Sequence, residues 1–221
     1  MTNFNERCAF TLSELLLSLI IVGVVAIITV PVLINNVQKK LFATQVKNFV
    51  AQIEQLAQDE LLTHRTRDLS NTDFADPELL LSDKHFEIAK SCTVSRALID
   101  CWKTVGVNKV IYKRGNGVTD TVSDYYTIVL KNGMLIGYRI ESVNNKSFSK
   151  ILFDVNGNSK PNIYGRDLFA FYLSPKGKII DYASLQNTGA YSTILYQCKT
   201  DTYGAGWCFS LLMIDNWKMD Y

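Results

Sequence analysis

Apolar and polar positions follow three rhythms along this chain, and each predicts a different element. From Phe10 to Ile34 the residues are almost all apolar, "FTLSELLLSLIIVGVVAIITVPVLI", and Glu14 is the only ionisable side chain. The run is about 25 residues, and about 20 apolar residues in a helix span the hydrocarbon core of a bilayer. It exceeds the roughly 7–15 residues of a secretory h-region, and no A-x-A cleavage site follows it. Beyond Ile34 the pattern becomes amphipathic. Val37, Leu41, Phe42, Val46, Phe49, Val50, Ile53, Leu56, Ala57 and Leu61 recur at steps of three, four and one, which is one face of a helix. Together the two stretches predict a single helix from Phe10 to about Arg65. Pro31 removes one backbone hydrogen bond from it and should kink or loosen it there.

After the helix the signals shorten. Asp76-Pro77 reads as an N-cap and first helical residue, opening a short helix to about Lys90. A strand is expected at Val107–Tyr112. From Asp124 the period falls to two. "YYTIVLKNGMLIGYRI" is two β-rich runs around Asn132-Gly133, a hairpin signal. "FSKILFDV" and "DLFAFYLSPKGKII" read as further strands, the second turning at Pro175–Gly177. The expected fold class is α+β: a long N-terminal helix, its first half transmembrane and its second half packed on an antiparallel sheet of four or five strands.

Composition narrows the function classes. The chain has 221 residues and a net charge of +2, too small to argue for a nucleic-acid or acidic partner. Lys109, Lys113 and Arg114 are too few to make a basic patch. Phosphate-loop, dinucleotide, HExxH, GxSxG and CxxC motifs are all missing, so the expectation is a protein that is not an enzyme. Cys92, Cys101, Cys198 and Cys208 follow the apolar span in two close pairs, which suggests disulfides and an oxidising compartment. Four cysteines allow three connectivities; the short loops Cys92–Cys101 and Cys198–Cys208 are the easiest to close. Lys39 and Lys40 beyond the span argue for the opposite orientation, and the cysteines are given the greater weight. Asp154, Asn156, Asn158 and Asp167 gather oxygen groups between two strands, as a calcium loop does at its start. The EF-hand pattern fails at Ser159 and Gly165, and turn chemistry explains the same residues without a metal.

Glu14 remains. An acid inside a membrane segment is costly and calls for a partner. A cut between Ala9 and Phe10 would supply one, because Phe10 would gain a free α-amino group one turn from Glu14. Paired between chains, Glu14 and Phe10 would set the stagger of packed helices, the best-attested use of a buried ion pair. "AFTLSELLLSLIIVGVVAIITVPVL" resembles the N-terminal segment of type IV pilins and type II secretion pseudopilins: small residue, Phe, Thr, Leu, any residue, Glu, apolar run, later proline. The likeness covers about the first quarter of the chain. Ala9 stands where the family has glycine, and the leader balances Arg7 with Glu6.

The resemblance implies a leader peptide 1–9, an assembly and membrane segment 10–34, an amphipathic half-helix 35–66 and a globular head 67–221. It implies cleavage at Ala9-Phe10 by a prepilin peptidase, methylation of the Phe10 amine, and assembly through Phe10, Thr11, Glu14 and Pro31. The subunit, major or minor, would sit in the inner membrane with its head exported. It would then enter a pilus or pseudopilus with other such subunits, on an inner-membrane assembly platform. Some pseudopilins bind calcium in a C-terminal loop, which adds to the case for the aspartate loop, and many pilins close a C-terminal cysteine loop like that of Cys198 and Cys208. The rival reading is a membrane-tethered or tip-located adhesin or DNA-binding module. The mature chain is expected to begin at Phe10; N-terminal mass spectrometry of the membrane fraction checks this, and an intact Met1 in assembled material contradicts it.

Overall fold

The computed structural model describes residues 11–105, 109–120, 122, 125–143 and 146–221. The leader and Phe10, with the expected cleavage and methylation site at Ala9-Phe10, lie outside them, as does Val107. The chain divides into two compact units, Met1–Lys39 and Lys40–Tyr221. One helix, α1 (Leu12–Thr63), runs through both and passes Pro31 without a break. In the first unit every described side chain from Thr11 to Gln38 is exposed. By length and composition this part of α1 can cross a membrane.

In the second unit α1 behaves as its pattern predicts. Phe42, Ala43, Val46, Phe49, Val50, Ile53, Ala57 and Leu61 are buried; most residues between them face water, while Glu60 is buried with the stripe and Gln45 and Leu56 are half-buried. The helix stops in a Schellman turn. Arg65 takes a left-handed φ of 50°. The Thr66 N–H returns to the Leu61 carbonyl (3.0 Å) and the Arg65 N–H to that of Leu62 (3.1 Å). Two 3-10 turns follow, Leu69–Asn71 and Asp73–Ala75, capped by the side chains of Asp68 and Thr72.

The expected helix over 77–90 is only α2 (Pro77–Leu80), with Asp76 as its N-cap. Leu80 and Leu81 both bury, and the Ser82 hydroxyl bonds back to the Leu79 carbonyl (2.7 Å). These side chains turn the path away from helix. The segment resumes as strand β1 (Ile88–Cys92). A short turn, α3 (Val94–Arg96), runs into a π-helical turn at Ala97–Cys101. Then come β2 (Tyr112–Lys113) and β3 (Thr119–Asp120), a two-stranded ribbon.

The main sheet is antiparallel and has six strands rather than four or five, in the order β1-β4-β5-β6-β7-β8. Its remaining members are β4 (Tyr126–Leu130), β5 (Leu135–Val143), β6 (Lys146–Asp154), β7 (Leu168–Leu173) and β8 (Ile179–Ile180). Asn132-Gly133 turns β4 into β5. The chain ends in three helices: α4 (Tyr182–Leu185), α5 (Tyr191–Thr200) and α6 (Gly204–Ile214).

Side chains alternate across the sheet, so β6 and β7 feed two cores. Ile151, Phe153, Phe169 and Phe171 join the α1 stripe and α6 in one. Leu152, Leu168 and Ala170 join Trp102, Tyr112 and Tyr164 in the other. Phe153 is central to the first. Its ring lies 4.7 Å from that of Phe49 on α1, 6.0 Å from Phe169 and 5.7 Å from Phe171; Phe171 in turn lies 5.3 Å from Phe209 on α6. Phe153→Ala should therefore cost about 3–5 kcal/mol, as large-to-small changes at packed aromatics do, read as a lower denaturant midpoint. A loss under about 1 kcal/mol would mean that the site collapses around the gap.

Candidate functional site

The start of α1 is a capping box. Thr11 is the N-cap and Glu14 occupies the third helical position. The Glu14 N–H donates to Thr11 Oγ1 (3.3 Å), while Glu14 Oε2 accepts from the Thr11 N–H (2.8 Å) and from its hydroxyl (2.8 Å). Reciprocal bonds of this kind satisfy two otherwise open helix donors. The sequence carries the signature, Thr-Leu-Ser-Glu before an apolar run, and reading Glu14 only as a charge passed over it. Thr11, Glu14 and Pro31 thus lie on one helix, and Thr11 and Glu14 touch.

The segment from Asp154 to Asp167 is a densely hydrogen-bonded loop of the second unit. Asp154, at the end of β6, and Asp167, just before β7, are fully buried. Asp154 Oδ2 accepts from the Tyr112 hydroxyl (2.9 Å) and its Oδ1 from the Asn156 N–H (3.1 Å). Asp167 takes the N–H groups of Asn162 and Ile163, both at 2.7 Å. Asn156 Nδ2 donates to the Ser159 and Lys160 carbonyls, and Asn158 Nδ2 to the carbonyl of Cys101 (2.7 Å). Gly157 has a φ of 63°, and a Cβ there would run into the Gly133 carbonyl oxygen of the β4–β5 turn. Gly165, at φ 79°, sits as tightly on Cys208. Only glycine supplies that backbone without strain.

The sequence-identified set Asp154, Asn156, Asn158 and Asp167 therefore lies in one loop, its two carboxylates close enough to repel. Burial, with the charge of Asp167, lifts the Asp154 carboxyl well above the usual range. Burial pushes Asp167 up to about 6 against the pull of its N–H donors. The donors are all oxygen, and Asn156 Oδ1, Asn158 Oδ1 and Asn162 Oδ1 are buried without a hydrogen bond. That chemistry fits a hard cation such as calcium. The hydrogen bonds already account for the loop's course without one.

Both cysteine pairs are joined, Cys92 to Cys101 and Cys198 to Cys208. The first ties β1 to the π-helical turn and the second ties α5 to α6. The aspartate loop touches each, through Asn158 to Cys101 and through Gly165 to Cys208 and Tyr221.

Sequence reasoning did not find a cleft of about 320 Å³ between the sheet and α6, lined by Tyr125, Tyr172, Tyr182 and Tyr203 with Arg139 and Lys150. Lys150 is buried, with Nζ 5.3 and 5.0 Å from the ring centres of Tyr172 and Tyr203 and 3.1 Å from Glu141 Oε2. Burial lowers its pKa against the pull of Glu141. Arg139 lies 4.7 Å over the Tyr125 ring and also reaches Glu141 (3.0 Å). The residues come from distant segments, and no local pattern announces them.

The aspartate loop predicts a pH dependence. A carboxyl whose folded pKa is raised contributes stability below its unfolded pKa, near the ordinary 3.8, and that stability is lost as pH rises through about 6. Through Asp167, the melting temperature should rise as pH falls from 7 to 5. Asp167→Asn should lower it at every pH, since the two N–H groups meet different oxygens and the amide NH2 would face one of them, and should flatten that slope. An unchanged slope in the variant would remove Asp167 as its source. Compared with known proteins, the chain matches no family model, no curated protein and no solved structure.

Proposed function

We propose that this chain is a structural subunit, a major or minor pilin or a pseudopilin, of a type IV pilus or type II secretion filament. A prepilin peptidase would process it at Ala9-Phe10 and methylate Phe10. One observation carries the reading: the order Ala9-Phe10-Thr11-Leu12-Ser13-Glu14 heads an apolar helix with no other charge before Lys39. The α+β second unit and its two local disulfides agree with an exported head. The subunit waits as a single-pass protein in the inner membrane and joins its neighbours through the first half of α1. Calcium in the Asp154–Asp167 loop would be an accessory to this role.

Assembly would turn on Glu14. Exposed charge–dipole effects are worth about 0.3–1 kcal/mol, and a helix cap about 0.5–2 kcal/mol. Stranding one member of a buried ion pair costs about 3–5 kcal/mol. In a filament that larger cost recurs at every subunit. Two substitutions separate the roles. Glu14→Leu removes the carboxylate and the cap. Glu14→Gln keeps the cap, because glutamine also closes a capping box, and removes only the charge. Both variants should insert in the membrane and be cleaved after Ala9, yet be absent from filaments sheared off the cells. Normal incorporation of Glu14→Gln would reduce Glu14 to a local cap.

A second reading, a membrane-tethered or tip-located adhesin, is favoured by the tyrosine-lined cleft, whose ring faces and cations suit a sugar or an anionic ligand. Binding of DNA would weaken sharply with salt, so pulldowns at low and high salt separate that partner from an uncharged one.

A further inference from the structure

The chain has two histidines, His64 and His85, and both meet the same pair of carboxylates. Glu60 and His64 share a face at the end of α1. His64 is the C-cap of the Schellman turn, so its backbone is fixed. Asp73 begins the second 3-10 turn. That turn is anchored by the buried ring of Phe74, by the Thr72 hydroxyl on the Phe74 N–H (3.2 Å), and by the Tyr138 hydroxyl on the Phe74 carbonyl. His85 comes from the turn before β1, where its N–H bonds the Ser82 carbonyl (3.1 Å). All three segments belong to the second unit.

The spacing of these groups admits a metal ion, and Glu60 Oε2 also accepts the Asp73 N–H (3.2 Å). His64 Nε2 lies 3.2 Å from Glu60 Oε2 and 3.6 Å from Asp73 Oδ1, and the three atoms lie within 4.8 Å of one another. Zinc bonds to imidazole nitrogen and carboxylate oxygen are about 2.0–2.2 Å, so ligands at tetrahedral corners stand roughly 3.3–3.6 Å apart. The second carboxylate oxygens face the other way. His85 Nε2 lies 2.9 Å from Asp73 Oδ2 and 3.7 Å from Glu60 Oε1. Lys84 Nζ bridges the same two oxygens, at 2.6 and 3.2 Å.

Charge points the same way. The side chains of Glu60 and Asp73 are only 5% and 13% exposed, and Lys84 alone offsets them when the histidines are neutral. One cation against two carboxylates leaves one negative charge, and a divalent ion balances both carboxylates once Lys84 has moved away. The Lys84 side chain is 55% exposed and can swing into water. An ordinary ion-pair network is already closed by Lys84 and His85; His64, 37% exposed, adds a third group to the same two carboxylates.

We infer that Glu60, His64 and Asp73 bind a divalent transition-metal ion of the zinc class, with His85 orienting Asp73 and water completing the coordination. The imidazole selects such an ion over calcium or magnesium. Binding needs the neutral imidazole with its lone pair on Nε2, and it competes with the Lys84 ammonium for the carboxylates. The ion would pin the end of α1 to the 69–75 segment. This inference stands apart from the pilin reading, because its test needs no filament.

The full chain, purified in detergent, stripped with chelator and dialysed, is titrated with zinc chloride by calorimetry, and its melting temperature is followed with and without zinc. One zinc per chain should bind and raise the melting temperature. His64→Ala should leave the metal-free melting temperature within a few degrees and abolish saturable binding. His85→Ala should weaken it by about 10–100-fold, as loss of an outer-shell partner does. Lys84→Ala should tighten it, the opposite of what a simple salt-bridge network allows. Absence of one-to-one binding by the wild type, unchanged binding by His64→Ala, or weaker binding by Lys84→Ala would each overturn the assignment.

Discussion

Helix α1 sets the terms for everything else, because one half of it buries its apolar face within the chain and the other half does not. Between Phe42 and Leu61 the stripe is covered by the sheet. Between Leu12 and Val37 the leucines, isoleucines and valines are exposed. Apolar surface left in water costs about 25 cal/mol per Å², so something must cover that half. The segment has length enough for a bilayer, and its side chains are apolar all round, as a membrane helix requires. Neighbouring copies are the other possible cover. Under the proposed function the chain uses both in turn, and the amphipathic half keeps its head the same in either setting.

Two of the places where the second unit buries acids resolve them differently. Asp154 and Asp167 are met by backbone N–H groups and a tyrosine hydroxyl, which hold a loop in shape but leave like charges close. Glu60 and Asp73 are met by a lysine and two histidines from three segments. The first arrangement centres on one strand connection, with Tyr112 joining it from β2, and its consequence is a dependence on proton concentration. The second is assembled only when α1, the 3-10 turns and the approach to β1 have all come together. Its groups are the ones we infer to exchange an ammonium for a metal ion.

How much of this was legible in the sequence depended on whether the signal was local. The long helix and the Asn132-Gly133 hairpin were, since period and turn chemistry belong to neighbouring residues. The capping box was also written in the chain, as Thr11 to Glu14. The edge strand β1 was not: "IAKSC" has no alternation, its middle residues face solvent, and only pairing with β4 makes it a strand. Helix α6 hid for the opposite reason. Gly204 to Leu212 are buried without interruption, so no amphipathic period marks it, and its glycines argue against helix. Spacing drew attention to the aspartate loop, though what holds it, Tyr112 and the Cys101 carbonyl, comes from elsewhere. The Glu60–His64–Asp73 cluster and the tyrosine cleft had no sequence signature because their members meet only in the folded unit.

The capping box bears on how Glu14 can serve in assembly. Its bonds among the described residues all run through Oε2, which takes both the Thr11 N–H and hydroxyl. Among those residues no hydrogen bond reaches Oε1. Under the proposed function a neighbour's amine would approach Oε1 without breaking the cap. The cap also holds the side chain in one orientation before any partner arrives. Immobilising a flexible side chain on association costs about 0.5–1.5 kcal/mol, and here the helix itself has already met that cost. On that reading the capped glutamate would be both a local cap and a preorganised acceptor at the head of a segment with no other charge before Lys39. The two roles draw on different oxygens of the same carboxylate.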